Sequence, residues 1–141
     1  MFYGDTVQET RQLFFSSWAH YIEKKPLSPL EMQIVKVLLD HPEYQSTIEQ
    51  SAQFQEQAFY PELGQTNPFL HMGLHLAIRE QVATDRPEGI ALIFKDLVIK
   101  YADSLHVEHL MMDQLAECLW LSQKNNQPPD EEAYLNVLRA L

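Results

Sequence analysis

The stretch from Asn67 to Gln81, reading Asn-Pro-Phe-Leu-His-Met-Gly-Leu-His-Leu-Ala-Ile-Arg-Glu-Gln, most constrains what this chain can fold into. Asn67 can cap free backbone amides and Pro68 suits a first helical turn, so a helix is expected to start there. It then runs apolar on nearly every side, and a helix greasy all round is an interior one that needs neighbours on most of its faces. His71 and His75, four residues apart, share one face of it and are expected to point into packed protein.

The rest of the chain supplies helical neighbours. Thr6 and Glu9 have the form of a capping box ahead of a first helix ending near Lys24, with Val7, Leu13, Phe14, Trp18, Tyr21 and Ile22 at helical spacing. Trp18 and the Phe14-Phe15 pair read as core anchors. His20, beside Glu23 and Lys24, reads as a surface histidine. Ser28-Pro29-Leu30-Glu31 combines cap, first-turn proline and capping-box glutamate, and Leu30, Ile34, Val37, Leu38 and Leu39 form the apolar stripe that follows. Pro42 opens a third, more polar helix through about Gln57, leaving His41 at a corner, where packing or capping is favoured over ligation.

Phe59 to Thr66 reads as a loop into the central helix. Asp85 to Gly89 reads as a turn with a proline-led start to a fifth helix carrying Ile90, Leu92, Ile93, Phe94, Leu97, Val98 and Tyr101. Asp103 or Ser104 caps a sixth helix to about Gln123, and Asp130 caps a short last one. No alternating strand pattern and no repeat is present. The expectation is an all-α, single-domain bundle of about seven helices spanning residues 1–141, with short connections.

Composition removes several function classes. The formal charge is −10, from 20 acidic and 10 basic side chains, with no cluster of Lys or Arg, so neither nucleic acid nor a membrane surface is expected as a partner. Cys118 is the lone cysteine, which rules out an intrachain disulfide and a thiolate-rich metal site, and its apolar helical surroundings suit a small structural thiol. No apolar run approaches a membrane span and the first residues lack a secretion pattern, so a cytoplasmic protein is expected. The serines stand in no glycine-rich elbow and the glycines form no phosphate cradle, so no nucleotide or flavin is expected.

The chemistry left to the sequence is that of imidazole and carboxylate. On the sixth helix His106, His109, Asp113 and Glu117 recur at three or four residues, within reach of one ion. Inward histidines and carboxylates on two helices are how helical bundles build nitrogen and oxygen metal sites. The candidate ligands are therefore His71, His75, His106, His109, Asp113 and Glu117, and the candidate cofactor is one divalent metal ion: zinc, iron or manganese. With one position open, such an ion would acidify a water for hydrolysis. Neither histidine pair completes His-Glu-x-x-His or its inverted form, because Met72 follows His71. Arg79, four after His75, sets a positive charge that opposes a cation. The plainer reading has His71 and His75 as buried, hydrogen-bonded imidazoles and the sixth-helix quartet as a solvated face.

The chain resembles a bacterial family known as a domain of unknown function, family 1841. The likeness is carried by Pro29-Leu30-Glu31, His41-Pro42-Glu43-Tyr44, Asn67 to His71 with His75, Asp85-Arg86-Pro87 with Gly89, and His106, Glu108, His109 and Leu119-Trp120. The family pattern often has a histidine where this chain has Gln45, which weighs against two ligands from the His41 corner. The resemblance implies a small intracellular helical protein and transfers no catalytic residues. Two function classes follow. One is a histidine and carboxylate metal-binding protein with a hydrolytic or redox role. The other is a non-catalytic interaction or scaffold protein that could form a homodimer through Met111, Met112, Trp120, Tyr134, Leu138 and Leu141.

Overall fold

The computed structural model describes residues 7–50 and 67–141. Among these residues are seven helices and no strand: α1 (Val7–Ile22), α2 (Pro29–Leu39), α3 (Pro42–Glu49), α4 (Pro68–Thr84), α5 (Ile90–Tyr101), α6 (Ser104–Lys124) and α7 (Glu131–Arg139). The all-helical expectation holds. The Thr6 capping box, the continuation of the third helix to Gln57 and the loop of 59–66 lie outside the described residues. None of the described helices is long and apolar enough to cross a membrane. Two compact units divide the chain after Gly73, a boundary that falls inside α4.

In the first unit, α1 buries Phe14, Phe15, Trp18 and the guanidinium-bearing Arg11. Phe14 and Phe15 meet Phe69, from the start of α4, at ring separations of 6.1 and 5.7 Å, and Arg11 lies 4.7 Å over that same ring. Trp18 Nε1 donates to Glu49 Oε1 of α3 at 3.2 Å, giving the indole the polar outlet that a buried tryptophan needs. Tyr21 and Ile22, expected on the buried stripe, are exposed, because α1 has reached its last turn there. His20 bonds Glu31 of α2 rather than its own helix neighbours.

The start of α2 is the box expected: Ser28 Oγ accepts from the Glu31 amide at 3.2 Å, and Glu31 Oε1 accepts from the Ser28 amide at 3.0 Å. Its buried positions are Ile34, Val35, Val37 and Leu38. Leu39 is exposed, since one residue past Leu38 turns the side chain about 100° away from the core. Asn67 Oδ1 caps α4 by accepting from the amides of Phe69 and Leu70 at 3.0 and 3.1 Å.

The second unit packs around Ile78, Ile90, Ile93, Leu97, Val107, Met111, Met112, Leu115, Tyr134, Leu135 and Leu138. Burying aliphatic side chains of this kind stabilises by about 1.5–3 kcal/mol each. Leu92, expected in the stripe of α5, is exposed. The proline does not lead that helix: Gly89 at φ +102° is its cap residue, and Asp85 Oδ1 accepts from the amides of Gly89 and Ala91, both at 3.0 Å. A side chain at that φ would be strained, so glycine is required there. Asp103 and Asp130 cap α6 and α7 by accepting from the amides of His106 and Ala133. Met111, Met112, Tyr134 and Leu138, named above as a self-association face, are core residues, and Trp120 alone of that group is exposed.

Candidate metal centre

His41 owes its place to the sequence His-Pro. Pro42 starts α3, and its ring forces the preceding residue out of helical geometry, so His41 stands at φ −129°, ψ 65° as the cap residue. Its imidazole makes no capping hydrogen bond and is 2% exposed. Instead Nδ1 meets Glu43 Oε1 at 3.0 Å, one ring face stacks on Tyr44 at 5.4 Å, and the ring stands edge-on to His71 at 4.8 Å. Tyr44 also packs edge-on to His71, at 5.7 Å. Burial pushes the Glu43 carboxyl up, but its backbone amide bond and the nearby His41 and His71 outweigh this and hold it below the ordinary carboxylate value. Burial and the Glu43 charge raise the Tyr44 phenol, so it stays protonated at neutral pH. Gln45 donates Nε2 to the Leu38 carbonyl at 3.2 Å and so ties the end of α2 to α3.

The second unit contains a corresponding pair. His75, fully buried on α4, stands edge-on to His109 of α6 with ring centres 5.1 Å apart. His75 Nε2 bonds Glu108 Oε1 at 2.9 Å, and Arg79 grips the same carboxylate through Nε to Oε2 at 3.1 Å and Nη2 to Oε1 at 3.2 Å. Burial raises the Glu108 carboxyl, while the bonds from His75 and Arg79 and their charges lower it further, leaving it ionised and below the ordinary range. The positive charge of Arg79, which from sequence opposed a cation, is thus balanced by Glu108. The Nε2 atoms of His71 and His109 are both shielded from solvent.

Both pairs have the edge-on geometry of ordinary ring packing, and their separations also match two imidazoles sharing an ion. Two imidazoles on one tetrahedral ion, at metal–nitrogen distances of about 2.0–2.1 Å, have ring centres about 5 Å apart. The separations in the two pairs are 4.8 and 5.1 Å. One member of each pair, His71 and His75, belongs to α4, a single helix on which residues four apart share a face with Cβ atoms about 5–6 Å apart.

Of the ligands expected from sequence, His71, His75 and His109 each stand in a histidine pair. His106 is exposed and packs against Tyr101 at 5.5 Å, and Asp113 and Glu117 are exposed on α6. At helical pitch the buried arc of α6 holds Val107, Met111, Met112 and Leu115, with Glu108 among them. His41, expected at its corner to cap or pack, packs on Tyr44 and His71, and nothing local in the sequence shows which way a corner side chain turns. Glu108 escaped the sequence reading but had a usable signal, a carboxylate inside an apolar arc, where an unpaired charge is costly.

Elsewhere in the second unit, a cavity of about 570 Å³ between α6 and α7 is lined by Cys118, Leu121, Pro128, Asp130, Tyr134 and Val137, among others. Burial, followed by the Asp130 charge, raises the Cys118 thiol, so it is protonated and a poor nucleophile.

The model of a family described as "Domain of unknown function (DUF1841)" matches residues 6–140. No curated protein and no solved structure matches the chain.

Proposed function

We propose that this chain, which belongs to the DUF1841 family, is a divalent-metal-binding protein whose ligands come from its histidine pairs, His41 with His71 in the first unit and His75 with His109 in the second. The observation that carries the reading is the repeated histidine pair, once in each unit, at the ring separation two imidazoles adopt on a tetrahedral ion, with one member of each pair on the same face of α4. Neutral imidazole is the commonest protein ligand for a transition metal.

The donor set narrows the ion. Imidazole suits zinc and iron, whereas manganese prefers carboxylate and water. Asp113 and Glu117 are exposed, and Glu108 is engaged with His75 and Arg79, so nitrogen donors favour zinc or iron over manganese.

The test is elemental analysis of protein purified without an affinity tag, followed by melting with and without chelator. One zinc or iron per chain is expected, together with a lower melting temperature in chelator and loss of the metal in His71→Ala and His75→Ala. Metal-free protein that takes up no added zinc or iron and melts unchanged in chelator defeats the reading.

A further inference from the structure

Glu108 faces His75, a fully buried histidine of the proposed site, and it accepts three hydrogen-bonding contacts at once: His75 Nε2 at 2.9 Å, Arg79 Nη2 at 3.2 Å and Arg79 Nε at 3.1 Å. Its side chain is 13% exposed and that of His75 is fully buried, so little water competes for these bonds. A carboxylate clasped by a guanidinium has only acceptor sites to offer. The ring nitrogen facing it must therefore carry a proton, which fixes Nε2 as the protonated nitrogen of His75.

From this geometry we infer that Glu108 is a positioning residue for the metal site: it locks His75 in the tautomer with its proton on Nε2, presents Nδ1 as the ligating nitrogen, and is itself oriented by Arg79. The inference rests on the metal-binding reading above. Carboxylates that accept from the non-ligating nitrogen of a metal-bound histidine set its tautomer and orientation and increase its basicity, and removing one typically weakens the metal 10–100-fold. The spacing explains how the chain builds the device. Arg79 follows His75 by one turn of α4, so both present to the same strip of α6, and there Glu108 precedes His109, the ring packed against His75. Lysine at position 79 would supply the charge without the two-pronged hold on the carboxylate.

The experiment uses the full chain and zinc alone as the probe, with affinity measured by competition against a chromophoric chelator for wild type, Glu108→Gln, His75→Ala and the double variant. Glu108→Gln is expected to bind zinc 10–100-fold more weakly, and in the His75→Ala background the same substitution is expected to change affinity little, because the carboxylate acts through that ring. Nitrogen-15 spectra of zinc-loaded wild type should show the His75 proton on Nε2. Equal affinity in wild type and Glu108→Gln, an unaltered loss in the His75→Ala background, or a proton on Nδ1 overturns the assignment while leaving zinc binding itself intact. Failure of the wild type to bind zinc, and iron when that is offered instead, removes the parent reading, and the assignment with it. Should Glu108→Gln not fold, the tautomer in wild type decides alone.

Discussion

The two units solve the same local problem in different surroundings. Each sets one histidine edge-on to another and gives one of them a carboxylate, Glu43 for His41 and Glu108 for His75. The Glu43 side chain is 59% exposed, whereas that of Glu108 is 13% exposed and also bound by Arg79. An ion pair reaching into water is worth little, because solvent screens it and mobile side chains resist being held. A shielded pair is different, since removing one member strands the other. The comparison therefore separates a histidine held mainly by ring packing, against Tyr44 and His71, from one held mainly by a shielded hydrogen bond to a carboxylate.

That separation breaks first at Glu108. Glu108→Ala leaves Arg79 and His75 facing each other with no anion between them, and a loss of about 3–5 kcal/mol is expected from urea unfolding of the metal-free protein. A loss below about 1 kcal/mol would place the two carboxylates in the same class. The next effect comes from the ion. Zinc at a hundredfold excess over its dissociation constant should add about 2.7 kcal/mol, and whether His41→Ala or His109→Ala reduces this gain identifies the pair that supplies ligands.

Acid provides a finer probe. Folding lowers the Glu108 pKa from its ordinary 4.5, so the folded state binds that proton less tightly than the unfolded chain. The linked stability is complete above 4.5 and disappears as pH falls through the folded value. The stability difference between metal-free wild type and Glu108→Gln should accordingly be constant at neutral pH and shrink below 4.5; a difference unchanged down to pH 3 would mean that the ionised form is not what stabilises. The smallest effect is expected for Glu43→Ala, below about 1 kcal/mol by the same unfolding measurement.

What could be read from the sequence follows from how local each feature is. The Ser28 box and the Asn67, Asp103 and Asp130 caps each act within three residues, so the residue order alone reveals them. The pairing of His75 and Arg79 on one helix face is equally local. The choice between the two faces of α6 is not: His106, Asp113 and Glu117 have regular helical spacing yet face solvent, while Glu108 falls on the apolar arc and turns inward. Spacing identifies residues that share a face, and only packing decides which face is covered. His41 shows the same limit at a corner, where Pro42 dictates the backbone but the ring is placed by Tyr44 and His71.

The continuity of α4 between His71 and His75 has a consequence for how this chain can vary. A single inserted or deleted residue in that interval would swing one imidazole about 100° around the axis relative to the other, so the pair tolerates substitution of the residues between but no change in their number. Descendants of this sequence are free to exchange Met72 or Leu74 for other apolar residues, while the count of three stays fixed.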